Sequence, residues 1–188
     1  HSIRRRQRQM CIRDSFQAVR KTHSRCQGAY AVVALITGFG LLAFRDPRGI
    51  RPLVIGEKDG PTKKEYIIAS ENASFSALGF KTLRDVNPGE AVFVDVDGNL
   101  HSQQCAEHSK ATPCLFEYVY LARPDSTLDK ISVYKARMRM GQKLAKKIVE
   151  LNPNHDIDVV IPIPDSSTTA ALQLCLLYTS DAADDGLS

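Results

Sequence analysis

The sequence predicts two consecutive architectures, an α+β region followed by an α/β region. Between residues 28 and 104 the apolar runs are short and separated by turn residues, a pattern typical of antiparallel strands. From residue 115 onward the order becomes strand, long helix, strand and helix, which is typical of a parallel sheet covered by helices. We therefore expect residues 16–105 and 106–175 to form parts of two different domains.

The first region contains five predicted strands. Their apolar runs lie at residues 30–36, 41–44, 53–55, 66–69 and 91–96. Gly-Phe-Gly at 38–40 and Asp-Gly at 97–98 have the composition of hairpin turns, and residues 72–78 suit a short helix. This succession of strands and turns predicts an antiparallel sheet.

The long helix of the second region is predicted by one apolar stripe. Its members recur every three or four residues, at Val133, Arg137, Met140, Leu144, Ile148 and Leu151. Arg137 is the single charged member of that stripe. Ser132 is a suitable N-cap, and Asn152 followed by Pro153 is a suitable stop. The basic residues away from the stripe are expected to form a solvated face.

A strand-to-helix junction carries the best chemical clue. Residues 159–163 are apolar without alternation, which predicts a strand buried on both faces of a parallel sheet. Asp165, Ser166 and Ser167 follow that strand and precede a predicted helix at 170–174. Free N–H groups at a helix start, together with hydroxyl groups, suit a phosphate or pyrophosphate. Asp165 or Ser166 also suits a plain helix cap, so both interpretations stay open.

Composition argues against several function classes. The chain has 188 residues and a net charge of +4, and residues 1–14 hold five arginines and one aspartate, which equals the whole excess. The body therefore shows no basic stripe for nucleic acid. No apolar run is long enough for a membrane span, and no signal peptide is recognisable. Five scattered cysteines without a C-x-x-C pair favour a reducing cytoplasm.

Both ends differ in composition from the body. Residues 1–15 are rich in arginine and lack apolar periodicity, and residues 176–188 end in small and acidic residues. We interpret both segments as foreign or disordered flanks. Because the chain starts with His1 and stops within a predicted helix, we expect an internal piece of a longer protein.

Two further strings are not explained by periodicity. Residues 44–53 read Phe-Arg-Asp-Pro-Arg-Gly-Ile-Arg-Pro-Leu, and residues 113–126 change abruptly from aromatic to charged. Together with shorter strings, they closely resemble the amidophosphoribosyltransferases, the glutamine phosphoribosyl pyrophosphate amidotransferases of purine synthesis. The matching strings lie at 44–53, 69–71, 85–90, 114–126, 130–137 and 159–167. The resemblance runs from about residue 16 to about residue 174.

The resemblance implies a fold and a reaction. Residues 16–105 would be the C-terminal part of an N-terminal-nucleophile glutaminase, an αββα sandwich, and residues 106–175 would begin a type I phosphoribosyltransferase domain. In the family, the first domain releases ammonia from glutamine. The second domain uses that ammonia to displace pyrophosphate from phosphoribosyl pyrophosphate, which gives 5-phosphoribosylamine. Purine nucleotides are the implied feedback inhibitors, and the intact parent protein is expected to be a cytoplasmic homo-oligomer.

The resemblance also assigns phosphate chemistry to the junction. Asp165, Ser166 and Ser167 match the family's pyrophosphate loop, and Ser167 is the residue implied at the magnesium site. Mg2+ is the implied cofactor. Cys114 matches one ligand position of the iron–sulfur cluster that some members hold, but its sequence context resembles the members without a cluster. We expect Cys114 to be a buried structural thiol.

A second set of residues is implied to support the glutaminase. Arg45, Asp46, Arg48 and Arg51 match a loop that backs the glutamine pocket. No catalytic residue is assigned, because the family's nucleophile is a cysteine at the mature N-terminus, where this chain has His1. The family's acidic phosphoribosyl loop has no counterpart here either. We expect the chain as given to catalyse neither half-reaction.

Two other functions stay open. One is a non-catalytic module that binds a phosphate or nucleotide through the retained pyrophosphate loop. Another is a different glutaminase-coupled enzyme, since residues 44–53 have relatives in asparagine synthetases, although residues 159–167 argue against it. Folding is a separate expectation: part of a sandwich exposes apolar surface, so we expect aggregation or partial order.

Overall fold

The computed structural model describes residues 2–154 and 157–184 of the chain. The chain divides into two compact units, His1–Cys114 and Leu115–Ser188. The domain boundary predicted at residues 105 and 106 lies somewhat earlier and stays a prediction. No helix in the described part of the chain is long and apolar enough to span a membrane.

The first unit is one helix and two antiparallel sheets. Its elements are helix α1 (Ser2–Arg25) and strands β1 (Ala31–Ile36), β2 (Gly40–Arg45), β3 (Val54–Asp59), β4 (Lys64–Ala69), β5 (Lys81–Asp85), β6 (Glu90–Asp95) and β7 (Leu100–Gln104). The four-stranded sheet has the order β1-β2-β6-β7, and the three-stranded sheet has the order β4-β3-β5. Every pairing is antiparallel, as predicted.

All five predicted strands of this unit are present, and two further strands were not predicted. Strands β5 and β7 read Lys-Thr-Leu-Arg-Asp and Leu-His-Ser-Gln-Gln, so neither has an apolar run. Both lie at the edge of their sheet, where polar side chains are common. The predicted helix at 72–78 is reduced to a single 3₁₀ turn over Ser76–Leu78.

A hydrophobic core lies on each face of the four-stranded sheet. On one face Phe44 and Phe93 pack with Phe16 and Val19 of α1. On the other face Ala43 and Val92 pack in a second core with Ile55 of β3 and with Leu53, which immediately precedes β3. The alternation of side chains along β2 and β6 therefore produces a helix, a sheet and a second sheet in successive layers.

Helix α1 extends through residues 2–15, the segment that we interpret as a foreign or disordered flank. Arginine, glutamine and methionine are good helix formers, which accounts for a helix rather than an irregular chain. The side chains of α1 that are buried in the core are Phe16 and Val19, beyond that segment, while Ile12 within it is partly buried and packs against the same core. The foreign origin of residues 1–15 and 176–188 stays a prediction.

The second unit is mainly helical. A π-helical turn spans Glu117–Leu121, and the two-residue strands β8 (Thr127–Leu128) and β9 (Ile131–Ser132) pair as a small hairpin. Helices α2 (Val133–Leu151) and α3 (Thr168–Asp184) complete the unit and pack against each other. The alternation of strand and helix predicted for this region is therefore only partly present.

Two predicted strands of the second unit are wrong. The strand expected from residue 115 is helical, and residues 157–163 have no regular secondary structure. A strand needs a neighbour that shares its ladder of hydrogen bonds, and no described strand of this unit pairs with residues 159–163. Consequently Val159, Ile161 and Ile163 are exposed, with Ile161 at 82%.

Helix α2 confirms the predicted helix and its N-cap. The hydroxyl of Ser132 accepts from the Lys135 N–H at 3.4 Å. The buried stripe, however, consists of Val133, Arg137, Gly141 and Ala145, whereas Leu144 and Leu151 are exposed. Small residues allow α3 to approach closely, because a Cβ atom at Gly141 would collide with the Ala170 carbonyl oxygen. The sequence pattern alone favoured the larger apolar side chains.

Candidate functional site

The loop after β2 is organised by the buried carboxylate of Asp46. This residue is 0% exposed. Its Oδ1 atom accepts from the N–H groups of Arg48 at 2.9 Å and Ile50 at 3.1 Å, and its Oδ2 atom accepts from the Arg51 N–H at 3.1 Å. Three backbone donors therefore surround one carboxylate, so Asp46 sets the course of residues 46–51.

Arg45 ties the same loop to its surroundings. Its guanidinium group is 2% exposed and donates to three carbonyl oxygens: Arg51 at 2.7 Å, Val86 at 2.9 Å and Gly49 at 2.8 Å. Gly49 has a φ of +60°, and a Cβ atom there would meet the Pro88 ring at 2.7 Å. The conformation of the loop therefore depends on two residues. The buried Arg45 guanidinium binds its carbonyl groups, and Gly49 allows the positive φ and the close approach of Pro88.

Arg48 differs from the buried pair. Its side chain is exposed, while its carbonyl oxygen accepts from the Thr112 N–H at 2.8 Å. Of the four predicted loop residues, Arg45 and Asp46 are buried anchors and Arg48 is a solvent-facing cation. Arg51 is half-buried. The role predicted for this loop beside a glutamine pocket stays a prediction.

The predicted pyrophosphate loop lies immediately before α3. The Ser167 hydroxyl donates to the Ile163 carbonyl oxygen at 2.6 Å, and the Ser167 N–H donates to the same atom at 3.3 Å. The Thr168 N–H donates to the backbone carbonyl of Asp165 at 3.3 Å. The Pro164–Asp165 peptide bond is cis. No described hydrogen bond uses the Asp165 carboxylate or the Ser166 hydroxyl, so neither side chain is seen capping α3.

The three residues of this loop offer a small set of oxygen atoms. Asp165 is exposed, and Ser166 and Ser167 are half-buried beside the first turn of α3. Oxygen ligands of this type suit Mg2+, which in proteins is commonly held by one or two carboxylates together with substrate phosphates. Across the described ranges there is no group of three His, Cys, Asp or Glu side chains that could hold a metal without such a substrate.

The cysteine expected to be buried is only half-buried. Cys114 is partly exposed, because it lies at the end of an irregular segment after β7. The fully buried thiol is Cys105, whose Sγ atom lies 3.6 Å from the Phe16 carbonyl oxygen and whose pKa is raised by burial. Neither cysteine belongs to a cluster of ligands among the described residues.

Arg137 organises the string at 113–126, a role that the sequence did not reveal. It is buried in α2 and donates to the carbonyl oxygens of Tyr118 and Ala122, both at 2.8 Å. These carbonyls belong to the π-helical turn and to the residue that follows it. The sequence did contain one indication of this role, because Arg137 is the single charged residue on the apolar stripe. A cation that is buried in this way needs specific hydrogen-bond acceptors.

The chain is similar to known proteins over most of its length. No protein-family model matches it. It is 58% identical over 161 residues to an amidophosphoribosyltransferase from Pseudomonas aeruginosa, and 53% identical over 160 residues to one from Escherichia coli K12. These matches cover 86% and 85% of this chain, and 32% of each relative.

Solved structures agree with the sequence comparison. A glutamine phosphoribosylpyrophosphate amidotransferase from B. subtilis, complexed with ADP and GMP, matches 85% of this chain and 33% of its own, with a TM-score of 0.68 and 32% identity. A structure described as the allosteric regulatory enzyme of purine biosynthesis matches 84% of this chain and 31% of its own, with a TM-score of 0.72 and 34% identity. The chain is therefore homologous to the amidophosphoribosyltransferases in sequence and fold, over about a third of their length.

Proposed function

We propose that this chain is part of an amidophosphoribosyltransferase of de novo purine (IMP) biosynthesis. The whole enzyme converts phosphoribosyl pyrophosphate, glutamine and water into 5-phosphoribosylamine, pyrophosphate and glutamate. The observation that carries the proposal is the 58% identity over 161 residues. The loop at residues 44–53, predicted to support glutamine hydrolysis, precedes the loop at residues 159–167, predicted to bind pyrophosphate. Glutamine hydrolysis is likewise the first of the family's two half-reactions.

The two units supply parts of two domains in this proposal. The helix, four-stranded sheet and three-stranded sheet of the first unit represent part of a glutaminase αββα sandwich. Residues 106–175 represent the beginning of a type I phosphoribosyltransferase domain. The Arg45–Asp46 loop then holds the backbone near the glutamine pocket in place, while glutamine hydrolysis is performed by an N-terminal cysteine that this chain does not contain.

Asp165, Ser166 and Ser167 form the pyrophosphate loop in this proposal. The hydroxyl proton of Ser167 is already donated to the Ile163 carbonyl, which leaves the lone pairs of its Oγ atom for a cation. The N–H groups of the first turn of α3 that follow Thr168 suit the phosphate oxygens. The loop therefore orients pyrophosphate, so that ammonia meets C1 of the ribose as the bond between C1 and the pyrophosphate oxygen breaks.

Ser167, with Asp165 beside it, would hold Mg2+ when substrate is bound. The ion supplies positive charge that neutralises the leaving pyrophosphate. For Cys114 we propose a structural thiol rather than an iron–sulfur ligand, since a cubane cluster needs four ligands. We further propose feedback by purine nucleotides, which is supported by the B. subtilis relative that was solved with ADP and GMP. A homo-oligomeric state and a cytoplasmic location complete the proposal.

A chimeric enzyme tests this function. The matched third of the P. aeruginosa relative is replaced by the corresponding residues of this chain, and ammonia-dependent synthesis of 5-phosphoribosylamine is measured. We expect activity in the chimera, and a loss of about 10- to 100-fold in kcat/KM for phosphoribosyl pyrophosphate on Ser167→Ala. Glutamine hydrolysis by the same variant should fall far less.

The matched control is Lys143→Ala, which removes an exposed side chain from α2 and should leave the transferase activity unchanged. A chimera that folds but has no transferase activity would refute the proposal. Full activity of the Ser167→Ala chimera would instead refute the role of Ser167. Binding of pyrophosphate by an inactive chimera would favour the non-catalytic module.

A further inference from the structure

His23 lies near the C-terminal end of α1, against the loop that Asp46 organises. Its ring stacks on Tyr30 at a centroid distance of 5.9 Å and meets the edge of Phe44 at 5.8 Å. The Nδ1 atom lies 2.8 Å from the Tyr30 hydroxyl oxygen. The two aromatic rings make one side of the half-buried imidazole's surroundings apolar.

Two residues that interact with His23, Tyr30 and Gly89, are bonded to the backbone of Asp46. The Asp46 N–H donates to the Tyr30 carbonyl oxygen at 2.9 Å. The Gly89 N–H donates to the Asp46 carbonyl oxygen, also at 2.9 Å, and the Gly89 carbonyl lies near the His23 ring. A displacement of the ring would therefore be transmitted to Asp46, whose carboxylate holds the N–H groups of residues 48, 50 and 51.

The Nε2 atom of His23 is buried and has no hydrogen-bond partner among the described residues. The interaction with the Gly89 backbone favours the protonated ring. In the neutral ring that carries its hydrogen on Nε2, Nδ1 accepts a hydrogen bond from the Tyr30 hydroxyl. Protonation would place a second hydrogen on Nδ1, so the Tyr30 hydroxyl would have to turn and a charge would enter a site that is apolar on one side.

We propose that His23 is a pH-sensitive latch: the neutral imidazole holds the Asp46 loop closed, and protonation of the imidazole loosens it. The latch comprises His23, Tyr30, Gly89 and Asp46. This inference concerns the stability of the loop and does not depend on the enzymatic activity proposed above.

Burial of the ring determines whether acid loosens or tightens the latch. Burial lowers the pKa of His23 from its ordinary 6.5, and this outweighs the opposing influence of the Gly89 carbonyl and the Asp46 carboxylate. Tyr30 also faces the ring, and burial and nearby Cys26 raise its pKa, so it stays neutral. Beside the ring, a cleft of about 570 Å3 is lined by the exposed residues Arg20, Glu107 and His108.

The sign of the pH dependence follows from the lowered pKa. The folded state prefers the neutral imidazole, so the stabilisation is present above the unfolded pKa of about 6.5 and is lost as the pH falls through the folded value. The latch is therefore closed at neutral pH and loosened in mild acid. A pKa lowered by one unit would correspond to a tenfold change in the opening equilibrium.

Hydrogen exchange of the 188-residue chain tests the latch. Protection factors of the Arg48, Ile50 and Arg51 amides are compared at pH 7.5 and pH 5, after correction for intrinsic exchange. We expect them to fall by about threefold or more in the unmodified chain. In His23→Gln, which cannot be protonated, we expect the same amides to show no such pH dependence.

Two controls keep the result interpretable. His101→Gln removes a histidine that pairs with Asp95 in the β6–β7 hairpin, and it should retain the pH dependence of the loop. The NMR titration of His23 itself gives a second measurement that needs no variant. Loop protection that is independent of pH, pH dependence that survives in His23→Gln, or a His23 midpoint at or above 6.5 would each overturn the proposal.

Discussion

The loop after β2 is anchored by two buried charged residues, Arg45 and Asp46, whereas the segment before α3 exposes its apolar side chains. Asp46 is 0% exposed and accepts from three backbone N–H groups, while Ile161 is 82% exposed in a segment without regular structure. Both segments belong to strings by which the chain resembles the same family. The two segments therefore differ in burial because their hydrogen-bonding and packing partners lie in different parts of the protein. They do not differ in how well their sequences match the family.

The Asp46 loop finds its partners close by. Its donors come from residues 48–51, and the carbonyls that receive the Arg45 guanidinium come from the loop and from residue 86, all within the first unit. Residues 159–163 need adjacent strands instead, and no described strand of the second unit provides them. Hydrogen bonds within a loop can form in part of a domain, but a buried parallel strand requires the surrounding sheet.

Removing the Asp46 carboxylate should have the largest effect on stability. Asp46→Ala leaves three partly buried N–H groups without an acceptor, each at a cost of about 1–3 kcal/mol, so we expect the free energy of unfolding of the first unit to fall by about 3–5 kcal/mol. Urea denaturation followed by circular dichroism measures this loss. The control Arg48→Ala, in the same loop but exposed, should change it by less than about 0.5 kcal/mol.

A loss below about 1 kcal/mol in Asp46→Ala would show that the loop does not depend on its carboxylate. Such a result would also remove the main contrast between the two segments. A large effect of Arg48→Ala would contradict the distinction between anchors and the solvent-facing cation.

Truncating Ile161 should have the smallest effect. Its side chain is exposed, so Ile161→Ala should change the free energy of unfolding by less than about 0.5 kcal/mol. The same truncation at Ile55, which is 0% exposed in β3, should cost about 2–5 kcal/mol. Equal costs at both positions, measured by urea denaturation, would mean that residues 159–163 are packed in solution and that the contrast is wrong.

The sequence predicted the first unit better than the second, and particular residues explain why. Apolar runs located β1, β2, β3, β4 and β6, whereas β5 and β7 are polar edge strands that periodicity does not detect. In α2 the cap at Ser132 was predicted from local chemistry. The buried stripe was not, because the close approach of α3 at Gly141 is a property of packing.

For the loop at residues 44–53, the sequence predicted which residues matter but not the role of each. The four polar residues of the 44–53 string could be named from the sequence, but not which of them would be buried anchors. That distinction depends on carbonyl groups at positions 49, 51 and 86, which only the folded chain brings to Arg45. His23 and Arg137 were not assigned roles, since their partners come from separate elements.

Binding of magnesium phosphoribosyl pyrophosphate tests the central claim most directly. Isothermal titration calorimetry compares the isolated 188-residue chain with the chimera that contains the same residues 159–167 within a complete enzyme. If the chain supplies one wall of a phosphoribosyl site, the chimera should bind the ligand and the isolated chain should bind at least about 100-fold more weakly, a difference of about 2.7 kcal/mol. Equal affinity in the two proteins would contradict the account, because the isolated chain would then hold a complete site.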